Sequence, residues 1–212
     1  MTVRFPTGSM HVIPGRVVHV PGWLNNAAAA QIGPAVVSET FPFWKTQMTL
    51  LNGWPARPDP GHSMSRHGDP GVTYDYKGIS KPVEPFTPSL DAVRKIIVKE
   101  MDWSPNCVVV NSYAPSSGLY PHRDARYIPQ LGKNPVIAAV SFGAPRTFQF
   151  HRIDPVTNRR IKGEHPIDLV LESGDLLIMY GDCDENFHHG IPSEPHVNSI
   201  RVSLTFRKHS VF

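Results

Sequence analysis

The sequence predicts a predominantly β fold of the α+β class: an antiparallel sandwich, jelly roll or cupin-like barrel with helices packed outside. Three observations lead there. Six short β-type runs divided by turn residues follow Cys107, while the clear helix signals are confined to the first half. Proline accounts for 22 of 212 residues, twice the usual share of about 5%. Charged residues make up 18% against a usual ~25%, which fits turns and buried strands better than long solvated helices.

The length of 212 residues predicts one domain with room for a large core. Lys+Arg 21 against Asp+Glu 18 gives a net charge of +3, which permits a nucleic-acid partner without demanding one. Cys107 and Cys183 could form at most one bridge, so a disulfide-built module is excluded. No apolar run approaches the ~20 residues of a membrane span, and the N-terminus lacks a signal-peptide layout. The expectation is a soluble cytoplasmic monomer (nuclear in a eukaryote) with no membrane partner.

Taken in order, Asn25 is an N-cap for an Ala-rich helix from Asn26 to Val37, and Pro34 within it is the kind of residue that ends a helix early. Phe41 to Pro88 reads as irregular loops and short strands, dominated by Pro, Gly and aromatics. Ser89 is expected to cap a second helix, with Leu90, Val93, Ile97 and Met101 on one face. Asp91 early and Lys95 and Lys99 late match the helix dipole. The strands are Cys107–Tyr113, Val136–Phe142, Arg146–His151, Ile167–Leu171, Asp175–Tyr180 and Ile200–Arg207. Asp154–Asn158 reads as a hairpin tip and Ser173–Asp175 as a tight turn.

Period-two alternation places Arg201, Ser203, Thr205 and Arg207 on one face of the last strand, with Val202, Leu204 and Phe206 on the other. Asn111 and Tyr113 share a face in the same way. A strand face with two arginines normally lies in solvent. In a central barrel strand it must instead meet anionic ligands.

Among 11 histidines, His122 and His189 stand out. His122 lies two residues before Asp124, so on an extended segment the imidazole and carboxylate project to one side. A third ligand from a distant strand completes a facial set that leaves positions open, as non-haem Fe(II) oxygenases require. Three histidines and a water would instead suggest catalytic zinc. His188 competes with His189 for the third place, and alternation lets only one face inward. An iron site using a dicarboxylate cosubstrate also needs a cationic clamp, for which arginine's planar fork is suited.

The strings NSYAPSSGLYPHRD, VSFGAPRTFQF, SGDLLIMYG, HHGIP and RVSLTFRK closely resemble the AlkB family of Fe(II)- and 2-oxoglutarate-dependent dioxygenases. The spacing agrees: Asn111 stands 11 residues before His122, and an Arg-x5-Arg strand ends the domain. Upstream, GDPGVTYDYKG looks like the substrate lid of the DNA-repair members. The resemblance implies a double-stranded β-helix (jelly roll) core at 105–212. Residues 1–104 would be an extension carrying helices and a nucleotide-recognition lid, the whole forming one integrated domain.

The same resemblance implies His122, Asp124 and His189 as Fe(II) ligands, with His188 merely flanking. It implies Arg201 and Arg207 as holders of 2-oxoglutarate, assisted by Asn111 and Tyr113. Ser203 departs from the asparagine the family often has, which puts one hydrogen bond to the cosubstrate in doubt. The implied reaction is oxidative demethylation of N-alkylated bases in DNA or RNA, of the 1-methyladenine or 3-methylcytosine type. It would consume O2 and 2-oxoglutarate and release succinate, CO2 and formaldehyde. Tyr76 would stack the flipped base against His122, and Tyr74 would contact the phosphate backbone. Arg152, Arg159, Arg160 and Lys162 around the hairpin offer further phosphate contacts. Arg126 is the sharpest departure, because repair members commonly carry an acidic residue there that reads the base. The stretch Met48–Trp54 is where a duplex wedge would sit. Two rival readings are an iron oxygenase acting on another substrate (a modified RNA, a peptide or a small molecule) and a non-catalytic binding module on a jelly-roll scaffold.

Overall fold

A computed structural model describes residues 3–49, 57–76, 79–124 and 128–210, with the side chains at 46–49, 57–60, 76 and 79 left out of the description. Arg126, the Tyr76 side chain and the side chains of the Met48–Trp54 stretch therefore lie outside the described residues.

Two antiparallel sheets form the jelly roll expected from the sequence. The larger runs Met10–Ile13, Val17–Val20, Leu176–Met179, Ile137–Gly143, Arg201–Arg207, Cys107–Tyr113, Arg57–Gly68 and Lys45–Thr49 in spatial order. Glu84–Pro85 adds a short parallel pairing to Arg57–Gly68. The smaller runs Arg159–Arg160, Arg146–Asp154, Phe187–Ile191 and Leu119–His122, with Ile167–Leu171 also paired to Arg146–Asp154. Thr73–Tyr76 and Ile79–Pro82 make a separate hairpin.

Strand alternation divides the larger sheet between two cores. On one face Val108, Val110, Ala138, Val140, Leu176, Ile178, Val202, Leu204 and Phe206 pack beneath the helices through Ala29, Val36, Leu90, Val93, Ile97 and Met101. On the other, Tyr113, Ile137, Ala139, Leu177 and Met179 meet Phe148, Phe150, Phe187 and Ile191 of the smaller sheet. A sheet covered on both faces leaves Arg201 and Arg207 no route to solvent, and both are buried. That decides the placement of the two-arginine face: it points into the barrel.

Several elements differ from the sequence reading. The first helix runs Asn26–Thr40, straight through Pro34, with the expected Asn25 side chain accepting from the Ala28 N–H at 3.0 Å. The second helix, Pro88–Met101, is capped at Thr87 rather than Ser89. Ser89 sits inside the first turn, where its N–H and hydroxyl donate to the Glu39 carboxylate at 2.9 and 2.7 Å. A carboxylate from the neighbouring helix thus serves the orphan donors that a local cap would serve. Met10–Ile13 and Val17–Val20 are strands that the sequence reading did not single out. Arg57–Gly68 is one strand of 12 residues rather than irregular chain. Pro58 and Pro60 fall outside the His62–Gly68 portion that pairs with Cys107–Tyr113, so that ladder keeps its donors. Strands from both sides of residue 104 share the larger sheet. Both cysteines are buried and free.

Candidate metal and cosubstrate site

The smaller sheet brings the ligand candidates together by register. His122 is the direct cross-strand partner of His189, and their ring centroids lie 4.6 Å apart. Asp124, just past the strand, brings Oδ1 to 3.3 Å from His122 Nε2 and 3.9 Å from His189 Nε2. Among the described residues this trio is the one group of three or more such side chains spaced to hold a metal ion, with ligand atoms within 4.8 Å of one another. Gly190 makes the close approach possible. A Cβ there would meet the Leu119 carbonyl oxygen at 2.7 Å and the Pro121 nitrogen at 2.9 Å.

Neighbouring groups orient each ligand. His122 Nδ1 lies 2.9 Å from the Tyr120 carbonyl; as a donor to it, the ring leaves Nε2 facing the cluster. Phe148 stacks on His189, with planes 10° apart. The Asp124 N–H donates to Asp184 at 2.7 Å, and Arg207 donates to Asp124 Oδ2 through Nε at 3.0 Å and Nη2 at 2.6 Å. Arg207 therefore occupies one carboxylate oxygen and leaves the other facing both imidazoles.

Electrostatics prepare the donor set for a cation. Burial alone would push the Asp124 carboxyl up, but Arg207, His122 and His189 hold it well below the usual range. Burial, with His122 next, pushes His189 down to about 3, so its ring is neutral near pH 7. His122 moves the other way: burial disfavours its cation, but the hydrogen bond and charge of Asp124 prevail and raise it. Two imidazoles and an ionised carboxylate with one free oxygen suit a divalent ion.

A second polar cluster, around Arg201, lies on the inward face of the larger sheet. Arg201 is 1% exposed; its Nη2 donates to Ser141 Oγ at 2.9 Å, while Nε and Nη1 are buried with no hydrogen-bond partner. Two orphaned donors on one guanidinium are what a carboxylate would satisfy in bidentate fashion. The rows His62–Tyr113–Arg201 and Met64–Asn111–Ser203–Ser141 run side by side across four strands. Asn111, Tyr113, Ser203 and Arg201 are thus neighbours on one inward face. The Tyr113 phenol is pushed up to about 12 by burial, opposed by Arg201, and stays neutral.

Other expected residues sit elsewhere. Arg207 is engaged with the Asp124 carboxylate. Tyr74 is 5% exposed, in a cluster with Met64, Val72, Cys107 and Val109, with Arg66 over its ring at 4.9 Å. In this placement its phenol is a core group and does not offer itself to a phosphate on the surface. His188 points outward, 3.2 Å from Asn158, and burial with Arg160 and Arg123 pushes it down to about 4. Arg152 lies 3.6 Å from Glu164, and Arg159 and Arg160 are exposed on the hairpin. Sequence reasoning missed His62, Ser141, Phe148 and Asp184. All four become neighbours of the site only through cross-strand pairing or distant contacts, which no local pattern announces.

A family model described as the 2OG-Fe(II) oxygenase superfamily matches residues 16–207, and the chain belongs to that superfamily. Within it the chain is similar to AlkB homologues. It is 34% identical over 152 residues to mouse DNA oxidative demethylase ALKBH2, covering 69% of this chain and 63% of that protein. It is 30% identical over 184 residues to human ALKBH2, covering 83% and 70%. The corresponding figures for AlkB of Salmonella typhimurium are 32% over 114 residues, 50% and 46%. The chain spans 63% and 66% of the lengths of mouse and bovine ALKBH2, a little under two thirds. The solved structure of OsALKBH1 superposes with a TM-score of 0.57 at 18% identity, covering 95% of this chain and all of that one, and supports the fold.

Proposed function

We propose that this chain is an Fe(II)- and 2-oxoglutarate-dependent dioxygenase that oxidatively demethylates N-alkylated bases in DNA or RNA. The observation that carries the reading is the pairing of a metal-ready His122–Asp124–His189 trio with the buried, under-partnered Arg201 in one barrel. The nucleic-acid substrate rests on the relatives named DNA oxidative demethylases.

When bound, the iron and its cosubstrate would supply the oxidising power for attack on a C–H bond. The chain's own residues hold and shield them. His122, Asp124 and His189 would hold the metal. Arg207 holds one oxygen of the Asp124 carboxylate and leaves the other free. Arg201 would take a carboxylate of the cosubstrate, with Asn111, Tyr113 and Ser203 beside it on the same face. Phe148, Ile191 and Tyr113 keep the surroundings apolar. A flipped base would enter above His122, the most exposed of the three ligands. In this reading the protein acts as a monomer in the cytoplasm, or in the nucleus of a eukaryote.

The test is to supply Fe(II), O2 and 2-oxoglutarate with a panel of methylated DNA and RNA oligonucleotides, measuring succinate and formaldehyde together. Equal yields of both on 1-methyladenine or 3-methylcytosine are expected. Succinate without formaldehyde on every oligonucleotide would favour the second reading, the same chemistry on another substrate. Arg126 motivates that alternative, since a cation is ill suited to a positively charged lesion. No succinate at all would reject both.

A further inference from the structure

We propose that His62 is a positioning residue for the cosubstrate, acting through Asn111 and Tyr113. The inference rests on the 2-oxoglutarate reading above and adds a residue that neither sequence motif nor family match singles out. His62 lies on Arg57–Gly68, directly across from Tyr113 and diagonal to Asn111, and is 6% exposed. Its ring stacks on the Tyr113 ring with centroids 4.9 Å apart and planes 6° from parallel. Its Nε2 lies 3.0 Å from Asn111 Oδ1.

The polarity of that contact matters. Asn111 Oδ1 can only accept, so His62 must carry its proton on Nε2 and donate. With Oδ1 held by His62, the amide nitrogen of Asn111 turns the other way, toward Thr205 Oγ1 at 3.4 Å and the inward face of Arg201–Arg207. An N–H donor there is the polarity an anionic cosubstrate requires; the flipped amide would present a second acceptor and repel it. Tyr113 is fixed from both sides of its strand. His62 is its partner on one flank, and Arg201 on the other has its guanidinium carbon 5.5 Å from the ring centroid. One imidazole thus sets the direction of an amide and the plane of a phenol before any ligand arrives.

Two variants separate these contributions. His62→Phe keeps a flat ring against Tyr113 and removes the donor to Asn111. His62→Gln keeps a donor and removes the stack. Binding of 2-oxoglutarate to the Mn(II)-loaded full chain, measured by titration calorimetry, gives the readout without turnover. The expected result is a roughly tenfold weaker Kd for His62→Phe, the scale of one lost hydrogen bond and a released amide, and a Kd within about threefold of wild type for His62→Gln. In an Asn111→Ala background, His62→Phe should add less than about twofold, because a residue acting through Asn111 has nothing left to orient. Thermal unfolding of each variant checks that it is folded; should His62→Phe not fold, His62→Leu, which also removes the donor to Asn111, takes its place with the same expected weakening. Equal weakening by His62→Phe in both backgrounds, or no weakening in either, overturns the assignment. Wild-type protein that does not take up 2-oxoglutarate would instead overturn the cosubstrate reading itself.

Discussion

Arg201 and Arg207 lie on one face of one strand, yet replacing each by methionine should have opposite consequences. Arg207 is matched: both its Nε and Nη2 reach Asp124, whose side chain is 4% exposed. Removing that cation leaves a buried carboxylate uncompensated, a loss on the order of 3–5 kcal/mol in the metal-free protein. Arg201 is under-matched, with two buried donors unpartnered and burial pushing its pKa down. Arg201→Met removes a costly buried charge, so the metal-free protein should keep its stability or gain some. Its loss should appear on binding. Two charge-assisted hydrogen bonds to a carboxylate at about 1.5 kcal/mol each correspond to ~3 kcal/mol, or roughly 150-fold in Kd. Urea unfolding of the metal-free proteins and calorimetric titration with 2-oxoglutarate read the two quantities separately. A variant Arg201→Met that loses 3 kcal/mol or more of stability while binding 2-oxoglutarate normally would refute this reasoning and make Arg201 a structural residue.

Three further outcomes follow from the same geometry. His189→Ala should abolish tight divalent-metal binding, whereas His188→Ala, whose ring faces Asn158 on the outside, should leave it within a few-fold; equal losses would reject the ligand assignment. Gly190→Ala forces a Cβ to 2.7 Å from the Leu119 carbonyl, so the Leu119–His122 strand must move and metal affinity should fall about tenfold or more; an unchanged affinity would show that the strand spacing is not what holds the two histidines. Burial would raise the Glu39 pKa, but hydrogen bonding from the Thr87 side chain and from the Ser89 N–H and hydroxyl outweighs it and leaves it below its ordinary 4.5. A depressed folded-state pKa adds stability above the unfolded value that is lost as pH falls through the folded one. Glu39→Gln should therefore cost about 1 kcal/mol at pH 7 and progressively less below pH 4.5, and a pH-independent difference in urea unfolding would count against the helix-cap role.

How much of this was legible in the sequence depended on how local the cause was. Cys107–Tyr113 and Ile167–Leu171 have the bounds their residues predict, because β-branched runs bounded by turn residues carry their own punctuation. Asp154–Asn158 is the expected hairpin tip, with the Asp154 carboxylate accepting from the N–H groups of Val156 and Thr157. The start of the second helix was read two residues late, since its donors are served by Glu39, 50 residues upstream of Ser89. Val17–Val20 is too short to declare itself in the sequence, although all four residues are buried in the sheet. The metal trio was readable only as a candidate: His122-x-Asp124 gives two ligands by alternation, while His189 needs the pairing of two strands 67 residues apart. The partner of Arg207 was not legible at all. Alternation says that the side chain points inward; only the closed barrel says that Asp124, 83 residues away, is waiting there.

Much of the site follows from one strand being placed at the centre of a sheet with both faces covered. Along Arg201–Arg207 every second side chain is apolar and locks the helices to the sheet, and the residues between face the opposite way, into the barrel. The same alternation that secures the core therefore fixes the spacing of Arg201 and Arg207, three inward positions apart. Moving the strand by one residue would turn both arginines out of the barrel interior and drive them into the helix-packing layer. The hydrophobic register thus protects the polar one: Val202, Leu204 and Phe206 cannot slip without burying a cation among aliphatic side chains. Of the two cations so held, Arg207 closes on a carboxylate supplied by the chain and Arg201 does not. On the proposed reading, the partner that Arg201 lacks is the carboxylate of the cosubstrate, which its free guanidinium donors would satisfy.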